Sequence, residues 1–484
     1  MPAAAPLRQP LTSGRGLLLN GAASGASVRV LRMGVMLLCF GLISRAGAQS
    51  PDTRRFVLDN GLEVLLQQDD RSARVGIVVS YRVGAGHDPQ GYRGLAHLTE
   101  HMTFRGSRHV APLAALAAYQ RVGATEVNAY TSATETVYHV NLPADQLPLA
   151  LWIESDRMGF VAGAIDAAAF VLERAVVLDE RRLRQGPDSR RRELLAEACY
   201  PEGHPYRVAA SDEEDLEDLQ VDHVRWFLQA HYRPDNATLA IVGDIDLAAT
   251  AAQVERYFGP LRGAALEAPR KPAAAIVYRG TRRLQLEGSV SRERIDLQWA
   301  LPCELESCRP VATLLRELLE RRIQANIEQL GSVASRSGAA LSTHDGHFEL
   351  SVSLALAVTA DLERVRSRLR EEIARVVAEP PAESELAATR TSAIVGETAR
   401  WESLIGRARM LTRRRDRGNP ETLPSVQQSI AALEAVTAEA LHEAAKQWLR
   451  MDRVFEWEIS KNRRVEMRVD NDEGDLLPTE RALR

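Results

Sequence analysis

Cysteine is scarce: four occur in 484 residues, none in a Cys-x-x-Cys knuckle and none set with a histidine as a nucleophile pair. Thiolate metal clusters and cysteine-nucleophile chemistry therefore find no support. An excess of one charge is also lacking. The net charge is −4, so no global basic field marks a nucleic-acid binder and no acidic excess marks a disordered chain. After residue 43 no apolar run reaches the ~20 residues that a membrane helix needs. What is left, 45% hydrophobic and 26% charged residues, is an ordinary globular composition, long enough for two or more domains.

The first 48 residues hold Arg8, Arg15, Arg29, Arg32 and Arg45 but no Asp, Glu or Lys. Arginines precede an apolar stretch from Met33 to Ile43, and Ala46-Gly47-Ala48 supplies small residues before Gln49. That is the pattern of a secretory signal peptide and points to export, with the bacterial periplasm as destination. An Arg-bearing, acid-free segment also fits a mitochondrial presequence, although the compact apolar stretch favours export. Cys39 lies in this segment. Cys303 and Cys308, in "PCELESC", are close enough for a small disulfide loop in an oxidising compartment, or are two unrelated thiols.

Beyond it, "RRFVLDNGLEVLLQQ" sets two apolar-alternating runs about Asp59-Asn60-Gly61, a hairpin signal. "VGIVVSYRVGAG" is a β-branched strand ending in glycines, and "TEVNAYTSATETVYHVNLP" carries two more strands. Helical patterns follow over 144–159, 165–185 and 214–231, then the buried strand "NATLAIVGDID" and the helix "AATAAQVERYFG". Alternating runs of strands and helices with local hairpins predict an α+β fold with mainly antiparallel sheet. A Pro- and Ala-rich stretch reads as an interdomain linker at 264–275, between an N-terminal domain at 53–263 and a second at 276–470. The tail, 471–484, is expected to be loosely ordered. The second half repeats a similar order of elements, with a hairpin turning at Asp345-Gly346, as an internal duplication would.

One stretch, "GLAHLTEHMTFRGS", carries chemistry. His97 and His101 stand four apart, so on a helix they project from one face and can converge on a single ion, while Glu100 shares that face without being a ligand. Zinc on two histidines and a carboxylate keeps a position for water. Lowering the pKa of that water lets Glu100 accept its proton as it attacks a carbonyl. The H-x-x-E-H order inverts the H-E-x-x-H pattern of other zinc peptidases; a solvated helix with ion-free histidines would show the same five residues.

"FVLERAVVLDERRLR" offers the missing carboxylate. Glu173 and Glu180 are two helical turns apart on nearly one face, with Val176 and Val177 expected to seat the helix on the core. Glu180 is assigned as third ligand and Glu173 as the group orienting a ligand or the water. A surface helix of Glu–Arg pairs competes, because Arg174, Arg181 and Arg182 are adjacent. The basic run 181–193 is a solvated helix end or a surface for an acidic partner. His109, His139 and His204 are expected to lie away from the metal.

Taken in order, "GLAHLTEHMTFRGS", "VNAYTSATETVYHVNLP", "ERAVVLDE", "GHPY" and "YRPDNATLAIVGDID" resemble the inverzincin metallopeptidases, the family of pitrilysin, insulin-degrading enzyme and the mitochondrial processing peptidase. The resemblance runs from about residue 53 to 262 and is weaker beyond. It implies a clam-like pair of homologous α+β domains around a chamber where unfolded peptides are cut. It also implies one Zn2+ on His97, His101 and Glu180, with Glu100 as general base and Glu173 as the supporting glutamate. Asn128 and Ala129 match the strand that holds the substrate backbone, which edge pairing would do.

The second half departs from the pattern. Active two-domain members carry an Arg and a Tyr seven residues apart near a Leu-Gly step. Aligned on Leu330-Gly331, this chain has Ile327 and Ala334 there. Neither can donate a hydrogen bond to a developing oxyanion, and one such donor is worth about 3 kcal/mol. The expectation is a zinc-bearing metalloendopeptidase subunit whose homologous partner, in a heterodimer or homodimer, supplies the missing pair. Arg321, Arg322 and Arg336 are near enough in sequence to substitute for the Arg. The other expectation is a binding subunit that keeps the site without useful turnover.

Overall fold

The computed structural model describes residues 52–184, 193, 196, 200, 204–207, 213–262, 282–287, 293–301, 303, 305–326, 338–344, 347–357, 361–414, 425–460 and 467–468. The leader, the linker at 264–275, Ile327, Ala334, Arg336, Asp345-Gly346 and the tail lie outside them. Among the described residues no helix is long and apolar enough to cross a membrane.

The N-terminal half runs β1 (Thr53–Val57), β2 (Glu63–Gln68), β3 (Arg74–Tyr81), α1 (Leu95–Met102), α2 (Ala114–Arg121), β4 (Thr125–Thr131), β5 (Thr136–Pro143), α3 (Leu147–Phe160), α4 (Ala167–Arg184), α5 (Glu213–Asp218), α6 (Val221–His231), β6 (Ala237–Gly243) and α7 (Leu247–Phe258). Its six strands are ordered β1-β2-β6-β3-β5-β4, and only the β2–β6 pair is parallel. The β1–β2 hairpin turns where Asp59-Asn60-Gly61 predicts it. Gly61 has φ +87°, a conformation that favours glycine. Asn60 Oδ1 accepts from Leu62 N at 3.2 Å, and its amide donates to the Phe258 carbonyl at 2.7 Å, tying the turn to the end of α7.

The C-terminal half runs β7 (Arg282–Glu287), β8 (Arg294–Leu301), α8 (Leu305–Asn326), β9 (Gly338–His344), β10 (His347–Ala355), α9 (Leu362–Ala378), α10 (Glu383–Glu402), α11 (Leu404–Arg414), α12 (Val426–Glu434), α13 (Ala438–Trp448), β11 (Phe455–Ser460) and β12 (Met467–Arg468). Its strand order is β12-β7-β11-β8-β10-β9, again with one parallel pair, β7–β11. Except for the outermost strand beside β2 or β7, the two sheets repeat one topology, as a duplicated α+β domain would. Cys303 and Cys308 are joined in a disulfide just ahead of and within the start of α8.

Each sheet packs helices on one face. Strand alternation delivers Val64, Leu66, Ile77, Val79, Leu239 and Ile241 to the first core, with α1, α3 and α6, and Ile295, Leu297, Trp299, Leu350 and Val352 to the second, with α8 and α9. The other face of the first sheet is covered from far along the chain. Leu404, Ile405, Ala408 and Leu411 of α11 close over Leu65, Val78, Val137, Ala240 and Val242. Glycine at 76 permits this approach, because a Cβ there would stand 2.9 Å from Leu404 Cβ. Arg407, buried in the same seam, hydrogen-bonds Asp69 and also Gln67 Oε1 at 3.3 Å.

Candidate metal centre

Helix α1 is short, and its entry is built by the residues before it. Asp88 accepts from the backbone N–H groups of Gly94 (2.7 Å) and Ala96 (2.8 Å), satisfying donors that a helix N-terminus leaves open. Loss of water around this carboxyl outweighs those bonds and pushes its pKa up to about 7. Leu95, Leu98 and Met102 fall on the buried side of α1, which leaves His97 and His101 on the side facing α4. Their rings lie 4.8 Å apart, nearly perpendicular.

Helix α4 brings up the carboxylates. Phe170, Glu173 and Val177 are buried, and Glu180, two turns from Glu173, meets both imidazoles: Oε2 lies 3.8 Å from His97 Nε2 and Oε1 3.7 Å from His101 Nε2. Val177 is 3% exposed as expected, but Val176 is 42% exposed. At about 100° per residue, Val176 falls on the flank of the helix, so only one valine seats it.

One atom each from His97, His101 and Glu180 falls within 4.8 Å of the others, and these form the one such group of potential ligands among the described residues. Tetrahedral zinc with bonds near 2.0–2.1 Å would place its ligands about 3.4 Å apart, so the separations of 3.7 and 3.8 Å to Glu180, and of up to 4.8 Å within the group, would close on binding. The tautomer also fits. Glu173 Oε2 lies 2.9 Å from His101 Nδ1, so Nδ1 donates to the carboxylate and the Nε2 lone pair is left for an ion. Arg105, at the end of the same turn, hydrogen-bonds the other oxygen of Glu173.

Glu100 is 7% exposed and accepts from Thr131 Oγ1 at 2.6 Å. Thr131 ends β4, the edge strand, so the carboxylate sits where a chain laid along that edge would pass. On β4, Ala129 packs towards the α1 side, and Asn128 is exposed, its Oδ1 accepting from Ala129 N at 2.9 Å. Of the histidines expected to lie away from the metal, His109 pairs with Asp156, His204 Nδ1 accepts from Tyr206 N, and His139 stands in β5 opposite Asn128. Of the arginines near enough to substitute, Arg322 lies within α8 and donates through Nε and Nη2 to the two oxygens of Glu385, at 2.9 and 3.0 Å. At the end of α4, Arg181 and Arg182 pair with Glu213 of α5.

Three functional contacts escaped the sequence. Arg105 had a signal, since it lies eight residues, just over two turns, beyond His97. Thr131 had one too, because strand alternation puts it on the face of Ala129. Asp88 had none beyond its place ahead of the helix.

A duplicated α+β fold carrying a His–His–Glu cluster beside a buried glutamate is the arrangement expected from the resemblance to the inverzincin family. The comparisons agree. The insulinase family, peptidase family M16, matches residues 63–200, and the M16 inactive domain matches 218–392; the chain belongs to this family. It is 27% identical over 228 residues to a probable mitochondrial-processing peptidase subunit beta of Schizosaccharomyces pombe, covering 46% of this chain and 49% of that one. A protease from Helicobacter pylori superposes with TM-score 0.76 at 18% identity over 85% of this chain and all of that one. The periplasmic protease PqqL from Escherichia coli does so at 0.67 and 20%, over 86% of this chain and 48% of that one. At such identities the superpositions establish the fold alone. The chain spans about half or less of the length of the curated relatives it matches.

Proposed function

We propose that the chain is a zinc-dependent metalloendopeptidase that hydrolyses peptides or unfolded segments. The convergence of His97 Nε2, His101 Nε2 and Glu180 within 4.8 Å carries this reading. These three would hold the ion, which when bound supplies an acidified water and a Lewis acid for the carbonyl. Glu173 holds the His101 tautomer through Nδ1 and is itself gripped by Arg105. Glu100 takes the proton of the attacking water, with Thr131 fixing the rotamer that aims it. Strand β4, including Asn128 and Ala129, pairs with the extended substrate backbone, which suits loose sequence preference.

The test combines metal analysis with peptide hydrolysis. Glu100→Gln is expected to keep its zinc and lose roughly 10²- to 10⁴-fold in kcat. Unchanged turnover in that variant, or a purified wild type that takes up no zinc, would overturn the reading.

We also propose a homologous partner subunit that supplies the Arg/Tyr pair absent at Ile327 and Ala334. The match of the second half to a domain described as inactive supports this. Activity should then rise sharply when the partner is added; full activity of the isolated chain would exclude it. If no partner elicits turnover, the chain is a binding subunit. The compact apolar stretch from Met33 to Ile43 favours export to a periplasm, with a mitochondrion as the alternative for an Arg-bearing, acid-free leader.

A further inference from the structure

Strand β4 pairs with β5 on one side and, among the described residues, with nothing on the other. Its side chains alternate. Val127 and Ala129 pack on the α1 side of the sheet, and Thr131 reaches Glu100 on that side. Tyr130 packs on the opposite side, against the cluster that α11 builds. A peptide added to this edge continues the pleat, so its side chains point in turn to the glutamate and to α11.

On the α11 side the wall is cationic. The Arg409 guanidinium lies over the Tyr130 ring, 4.7 Å from its centroid. Arg413 donates to Glu135 Oε1 at 2.9 Å, and the Tyr130 hydroxyl donates to the same oxygen at 3.0 Å. The charge of Glu135 is thereby matched by Arg413. Arg409 is half-buried and has no carboxylate partner among the described residues. His139 stands opposite Asn128 in register; burial first, and the Arg409 charge second, push its pKa down, so it stays neutral beside the guanidinium. The carboxylate carried by β4 itself, Glu126, accepts from Asn141 Nδ2 at 2.9 Å.

We propose that Arg409 determines substrate preference at this edge, selecting peptides with an Asp or Glu side chain at the position beside Tyr130. Cross-strand neighbours stand ~5 Å apart between Cβ atoms, so a carboxylate there comes within ion-pair reach of a guanidinium that stacks on the Tyr130 ring. The inference rests on the peptidase reading for the use of β4 as a substrate strand. It adds what that strand selects.

The test uses labelled neutral decapeptides in which a single Glu or Gln is moved along the sequence. Binding is measured on the full-length Glu100→Gln chain, so that the readout is independent of turnover. One position should show Glu bound roughly three- to fivefold more tightly than Gln, a ratio that shrinks with added salt. Arg409→Gln should bring the ratio to one, and Arg409→Glu should invert it in favour of Gln. Because a merely structural arginine would lower affinity for all peptides alike, the ratio and its inversion are decisive. A ratio of one in the parent, a ratio retained in Arg409→Gln, or no peptide bound would each overturn the proposal. Absent hydrolysis by wild type, with the ratio intact, would count against the peptidase reading and not against this one.

Discussion

Strands β6 and β11 occupy the same place in their two sheets, each parallel to one neighbour and antiparallel to the other. All seven residues of β6 are buried, and Thr238 is their one polar side chain. In β11, Glu456 and Glu458 are 0% and 2% exposed. They lie on the side of Leu297 and Ile295, their partners across the ladder, and so face the helical core. Arg366 of α9 reaches down to both, and Arg370 also holds Glu456. One sheet centre is dry and the other is ionic. Desolvation offsets most of the attraction in such a cluster, so it fixes how α9 sits more than it adds stability, whereas breaking it strands a charge.

The sharpest way to break the comparison is Arg366→Ala, which removes one cation from two buried carboxylates, Glu456 keeping Arg370. A loss of about 3–5 kcal/mol is expected in urea unfolding. Converting all three residues, as Arg366→Leu with Glu456→Leu and Glu458→Ile, should imitate β6 and restore or exceed wild-type stability. If the triple variant is as weak as the single one, the ionic centre is itself stabilising.

The seam where α11 meets the first sheet comes next. Arg407→Met removes a 2%-exposed cation from Asp69, which keeps Arg71 as partner. About 2 kcal/mol should be lost, less than for a fully stranded charge. Equal unfolding midpoints for mutant and wild type would show that the apolar contacts alone hold the seam.

In both domains a helix carboxylate meets the edge strand: Glu100 takes the Thr131 hydroxyl, and Glu320 of α8 takes the Ala339 N–H. A hydrogen bond to a charged group is worth about 1.5 kcal/mol, so Thr131→Val should lower kcat roughly tenfold with zinc content unchanged. Glu320→Gln should leave kcat alone. Equal effects would mean that the two contacts do the same job.

Asp88 makes stability depend on pH. The folded-state pKa of Asp88, about 7, lies above its ordinary 3.8. Between those values the folded chain keeps a proton that the unfolded chain has released. Stability relative to Asp88→Asn should therefore fall as pH rises from about 4 to about 7. A flat difference across that range would contradict the assignment.

Much of the site was legible because its signals are local. The hairpin at Asp59-Asn60-Gly61, the helical spacing of His97 and His101, and the two-turn spacing of Glu173 and Glu180 each follow from backbone periodicity. What was not legible depends on tertiary context. "FEWEIS" alternates like a strand with one wet face, yet its glutamates point into the core because Arg366 arrives from α9. Val176 and Val177 are alike in sequence and differ only in which flank of the helix meets the core. Nothing local in "LIGRARMLTRR" tells which sheet that amphipathic helix covers.

That helix has a consequence during synthesis. The rear of the first sheet, Leu65, Val78, Val137, Ala240 and Val242, can form before residues 404–411 have left the ribosome. Until they arrive, a twisted apolar surface waits uncovered, open to chaperones and to neighbouring chains. Maturation of the first half is thus timed by the second, and a product truncated before residue 404 would carry His97, His101 and Glu180 in a domain whose sheet has a rear face that nothing of its own can cover.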